Sequence, residues 1–176
     1  MGSLEVDRLK WAEAYAKQSK SDFEVYKALC CPIAQVGVCH RLHYLQMACE
    51  KIAKAYRFRY TDTSIDDLLT SHIALSKFIE GFLKSAPMKG YYGGHHKKLE
   101  TVIGYARKYA EAVEKLAPAV DRDSTPCNAE YPWVDDKGSV VVPCEYTYPN
   151  YDFLLDPRSR NGSEFLKIVT RAIEDF

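Results

Sequence analysis

Apolar side chains recur along most of the chain at steps of three and four, the period of an α-helix with one face turned to a core. The period is clearest in HRLHYLQMACEKIAKAYRFR, residues 40–59, where Leu42, Leu45, Cys49, Ile52 and Tyr56 align on one face. His43, Met47, Glu50, Lys54 and Arg57 form a second stripe rotated well away from the first. Glu50 and Lys54 stand at i,i+4, an ion pair worth only about 0.3–0.5 kcal/mol if it is exposed. Residues 4–30 place Ala12, Tyr15, Ser19, Phe23, Tyr26 and Cys30 at helical spacing. They read as one long helix, or as two short ones broken near Ser19–Ser21. Pro32 and Gly37 mark a loop before the next helix.

A third helix opens at Thr63 or Ser64, with Asp66 and Asp67 well placed against its dipole. Its stripe is Ile65, Leu68, His72, Leu75, Ile79 and Phe82, and Pro87 with the loop MKGYYGGHH ends it. A fourth spans 96–117, turning Leu99, Val102, Ile103, Ala106, Val113 and Leu116 inward until Pro118 stops it. Residues 118–150 change character, with Pro, Asp, Asn and aromatics. Asp136-Lys137-Gly138 can turn a small hairpin between Tyr131–Val134 and Ser139–Val142, which Pro143 confines to an edge. Ser163 caps a last helix, whose Phe165, Ile168, Val169 and Ala172 return to the core. The pattern predicts an all-α fold in one domain over 1–176: an up-and-down bundle of about five helices. Residues 118–162 would form an irregular or hairpin insertion before the last helix.

Composition agrees with a folded domain. A hydrophobic share of 47% and 13 tyrosines argue against disorder. No run approaches the roughly 20 apolar residues of a membrane span, and the charged, amphipathic N-terminus is unlike a signal peptide, so a cytoplasmic protein without a membrane partner is expected. In that setting Cys30, Cys31, Cys39, Cys49, Cys127 and Cys144 are expected as reduced, buried thiols. The formal net charge of zero hides a gradient: +4 over residues 1–60, +1 over 61–117 and −5 over 118–176. The basic end can attract a polyanion, or the two ends can complement one another within a fold or a dimer.

Three segments together resemble the HEPN domain (higher eukaryotes and prokaryotes nucleotide-binding). They are Ser21-Asp22-Phe23-Glu24-Val25-Tyr26 in the opening helix, HYLQMACEKIAKAY at 43–56 with Glu50, Lys51 and Lys54, and Ser71-His72-Ile73-Ala74-Leu75. The resemblance covers about residues 5–117 and the final helix. It implies a helical bundle, a homodimer, and work on nucleotides or RNA, with a cognate protein partner in toxin–antitoxin, stress or defence systems. Many members are metal-independent ribonucleases, marked by an Arg followed by a His after four to six residues. There the His moves protons and the Arg stabilises phosphate charge.

This chain lacks that spacing. Its histidines are His40, His43, His72, His95 and His96, and where related proteins carry Arg-Tyr-Pro it has Glu130-Tyr131-Pro132. The expectation is therefore a noncatalytic HEPN-like binding or interaction protein, with His43, Glu50, Lys54 and Arg57 as the ligand-binding face. A divergent ribonuclease using His43 or His72 with Arg41 or Arg57 is the catalytic alternative. A partner subunit of a nucleotidyltransferase is a third. The same polar face also fits a solvated or packed surface, and His72 fits a hydrogen-bonded core position. His40 and His43 lie near Cys39 but lack further metal ligands at suitable spacing, so neither a metal nor a cofactor is expected. Gly93-Gly94 before His95 and His96 reads as a turn or an anion loop. Tyr146, Tyr148, Tyr151 and Phe153 read as packing for the insertion or as base-stacking groups.

Overall fold

The computed structural model describes residues 2–31, 33–70, 75–118, 126–156 and 158–176. It is an all-α bundle: α1 Gly2–Leu29, α2 Val38–Tyr60, α3 Ile65–Thr70, α4 Leu75–Leu83, α5 Ala86–Tyr91, α6 His96–Glu114, α7 Asp152–Leu155 and α8 Arg160–Glu174. A two-stranded hairpin, β1 Trp133–Val134 with β2 Val140–Val141, precedes the last helix. Among the described residues no helix is long and apolar enough to cross a membrane.

Helices α1 and α2 form an antiparallel pair, as their cross-contacts show. Tyr26 feels the charge of Arg41, the Ser19 hydroxyl donates to the Ala48 carbonyl at 2.7 Å, and the Tyr15 and Phe58 rings stack at 5.4 Å. Near the far end Arg8 donates to the carbonyls of Thr61 and Thr63. The break considered near Ser19–Ser21 is absent. Ser19 is fully buried, and a buried hydroxyl is tolerated in mid-helix when it has an acceptor across the interface.

The apolar face of α2 meets α4, α6 and α8 in one core, where Leu42, Leu45, Cys49 and Ile52 join Ile79, Val102, Val113, Phe165 and Ile168. Glu114 ties two of these helices together. From the end of α6 its Oε1 accepts the backbone N–H groups of Leu75 at 2.6 Å and Ser76 at 3.2 Å, so the first described turn of α4 is capped by a carboxylate.

Several boundaries differ from expectation. Ser64 caps α3, its hydroxyl accepting from Asp67 N–H at 3.1 Å. Pro87 does not lie in a loop; it sits in the first turn of α5, where a missing N–H costs nothing. Helix α8 begins four residues early, because Ser159 rather than Ser163 is its cap, accepting from Gly162 N–H at 3.1 Å. Gly162 is required there, since a Cβ at that position would overlap the Phe153 carbonyl. All six cysteines are unpaired. Cys39 and Cys49 are buried as expected, whereas Cys30, Cys31 and Cys144 are exposed.

The hairpin pairs Trp133 with Val141 and Val134 with Val140. Gly138 takes φ +79° at its turn, and Asp135 Oδ1 accepts from Lys137 and Ser139 N–H. Behind it an aromatic series joins the insertion to the bundle: Trp133, Tyr146, Tyr148, Tyr151 and Phe153, with Phe153 stacked on Tyr109 of α6 at 3.8 Å. Tyr148 is fully buried with φ +52°, and its hydroxyl donates to the Asn128 carbonyl at 2.8 Å. This left-handed residue is held by the packing around it.

Two stability predictions follow from buried contacts. Substituting Gly162→Ala forces α8 away from Phe153 and should lower stability by about 1–3 kcal/mol in denaturant unfolding. Lys54 of α2 is only 4% exposed and pairs with Glu50 at 3.0 Å. Removing one partner, as in Lys54→Ala, should cost about 3–5 kcal/mol, while the double change Glu50→Leu/Lys54→Met should recover most of it.

Candidate functional site

The polar stripe of α2 meets three different environments along its length. In the middle it turns inward. Lys54 Nζ lies 3.0 Å from Glu50 Oε1 and donates to the Leu69 carbonyl at 3.2 Å, with the Tyr15 ring 5.7 Å away. Gln46 Nε2 donates to Glu50 Oε2 at 2.8 Å. Burial, reinforced by the Glu50 charge, raises the Tyr15 pKa. One turn away, Lys51 pairs with Asp22, which also accepts from Gln18. Glu50 and Lys54 are thus engaged with each other and with the protein interior.

At the N-terminal end, Arg41 and His43 are two positions apart and point to different flanks, as i,i+2 residues of a helix must. Arg41 lies toward the end of α1, where its charge acts on Tyr26, and its Nε is buried without a hydrogen-bond partner. His43 faces the insertion instead. Its Nδ1 is 3.2 Å from Glu130 Oε1, out of line for a hydrogen bond, and its ring is edge-on to Tyr44 at 5.3 Å. His72 lies outside the described residues. Among the described residues no three His, Cys, Asp or Glu side chains gather as metal ligands.

At the C-terminal end, Arg57 opens onto a groove. Arg57 stands fourteen helical positions beyond His43, a rise of about 21 Å, so the four expected ligand residues do not share one site. The groove has a volume of about 670 Å³ and lies between the last turn of α2, helix α4 and the start of α5. Tyr56, Tyr60, Phe78 and Phe82 supply its aromatic walls. Tyr56 is 4.8 Å from Phe78 and 5.7 Å from Phe82 between ring centroids, while Tyr60 is 68% exposed. Arg57 and Lys77 place two cations on it, against the single carboxylate of Asp175. Ser85 also lines it, and its hydroxyl oxygen is buried with no hydrogen-bond partner.

Local sequence explains the walls. Tyr56/Tyr60 and Phe78/Phe82 are both i,i+4 pairs, so each helix presents two rings on one side. From the other side Phe176 packs on Tyr56 at 5.2 Å, and Arg59 stacks over Phe176 at 3.6 Å. These aromatic pairs were the available sequence signal for a site that the polar stripe alone did not mark. His95 and His96 are exposed at the start of α6 beside Lys97 and Lys98, after Gly93 and Gly94 with positive φ.

No protein-family model matches the chain, no curated protein matches it, and no solved structure matches it.

Burial raises the Tyr56 pKa from 10 to about 12, with the charge of Asp175 adding to the shift. The folded state therefore favours the neutral phenol. That contribution to stability is fully present below pH 10 and is lost as pH rises toward 12. Ultraviolet titration should show tyrosinate from Tyr56 only near pH 12. The Tyr56→Phe variant should lose stability less steeply across that window than the parent protein.

Proposed function

We propose that this chain is a noncatalytic, HEPN-like binding protein serving nucleotide- or RNA-linked processes, and that it binds through the groove at the end of α2. The observation that carries this reading is the groove itself: aromatic walls for a flat group, with Arg57 and Lys77 beside them for an anion. Concave, mostly apolar clefts of roughly 300–1,000 Å³ with a few polar groups are the usual form of small-ligand sites. The resemblance in α1 and α2 supplies the nucleotide-linked context and the homodimer. The noncatalytic part rests on the placement of Arg41 and His43 on different flanks, with Arg57 far along the helix.

The test is fluorescence anisotropy with labelled single-stranded RNA and with a labelled mononucleotide, each also incubated for cleavage. Binding of at least one probe without cleavage is expected, and it should weaken by about tenfold or more in Lys77→Glu. Absence of binding to both probes would overturn the reading.

A second reading, a divergent ribonuclease, is favoured by the 3.2 Å approach of Glu130 Oε1 to His43 Nδ1, because a small rotation of either side chain would bring the carboxylate into line to orient the imidazole for proton transfer. Cleavage of the RNA probe that disappears in His43→Ala would establish it and displace the first.

A further inference from the structure

Resting on the binding reading above, we infer that the groove takes one small molecule with a planar aromatic body and a single anionic group, and that Gly81 is the residue that leaves room for it. Gly81 is in α4, on the groove wall between Lys77 and Phe78 on one side and Phe82 on the other. Glycine within a helix costs about 0.5–1 kcal/mol relative to alanine. Some glycines of this fold have local reasons, while Gly81, Gly90 and Gly104 have none, and of these three Gly81 alone lines the groove. Gly162 has a carbonyl against it, and Gly138 adopts positive φ. At Gly81 neither applies: its φ is not in the left-handed region, and an added Cβ would meet nothing within 4 Å. The open space beside it is the groove.

The chemistry of the lining selects the occupant. Rings of Tyr56, Phe78 and Phe82 lie within 6 Å of one another and offer π-faces and edges to a flat ring. Two cations against one acid favour one negative group rather than several. Ser85 adds a hydroxyl that is buried without a partner, and rotation about its single side-chain torsion can present it to the occupant. A polyanionic strand is disfavoured, since such sites track many phosphates with a continuous basic groove. A phosphate on a nucleoside and a carboxylate on an aromatic acid share the required chemistry.

The probe is 1-anilinonaphthalene-8-sulfonate, followed by fluorescence, with adenosine monophosphate, indole-3-acetate and uncharged indole as competitors. Saturable one-site binding is expected, displaced by at least one of the two anions and not by indole at the same concentration. Displacement by the nucleotide alone assigns the phosphate source, and by indole-3-acetate alone the carboxylate source. Gly81→Leu should weaken binding by about tenfold or more while the melting temperature holds or rises, because leucine favours the helix. Gly104→Leu, an equally open glycine on the exposed face of α6, should bind like the parent and controls for a general effect of the change.

Unaltered binding by Gly81→Leu, or displacement by neither anion, overturns the inference. If either of these results is found while the RNA or mononucleotide probe binds in a Lys77-dependent way, only the inference fails and the broader binding reading stands. If no probe binds, both fail.

Discussion

An ammonium group with almost no access to water must be neutralised where it sits, and Lys54 imposes that constraint on the centre of the bundle. Its ligands come from α2 itself, through Glu50, and from the Leu69 carbonyl at the end of α3. Gln46 completes Glu50 from the turn before. The polar side of α2 therefore cannot remain an open surface in its middle third; α1 and α3 close over it. Only the ends of the stripe are left to deal with other partners. One end meets the insertion through His43 and Glu130, and the other reaches the aromatic groove through Arg57.

The insertion shows a different way to build order without a long element. Its chain is irregular, yet several of its polar groups are paired with nearby backbone. Asn128 accepts two backbone N–H groups and donates to Pro126, and Tyr148 and Tyr151 donate to the carbonyls of Asn128 and Ala112. Tyrosine suits this task because one side chain supplies both a large apolar face and a donor at its tip. In the aromatic segment after the hairpin Tyr148 and Tyr151 are buried in packing, and Tyr146 and Phe153 are half-buried against them.

The helices most legible in the sequence are those whose apolar period is strict: α2, the inner face of α6, and the Phe165–Ala172 face of α8. What was not legible is what depends on a second element. Periodicity gives the angle of Glu50 and Lys54 around the helix axis, but not the closure over that face which makes them interior. Ser159 and Ser163 are equally good caps by residue type, and residue type does not reveal that Ser159 is the one whose hydroxyl accepts from Gly162 N–H. Ser19 looked like a weak point because its acceptor, a carbonyl of α2, lies 29 positions away in the chain. Arg57 was visible as part of a polar stripe, but Lys77, Ser85 and Asp175 reach the same groove from elements whose meeting is tertiary.

The Glu114 cap has a mechanical consequence. It couples the last turn of α6 to the first described turn of α4 through two hydrogen bonds to backbone, one of them short, and Phe78 stands less than one helical turn beyond Leu75. A displacement of either helix end is therefore shared by the other, and it reaches one wall of the groove within a single turn. The floor of the insertion rests on the same stretch of α6, where Ala112 receives the Tyr151 hydroxyl. Groove wall and insertion are thus fastened to one short segment of helix, two loads on a common beam.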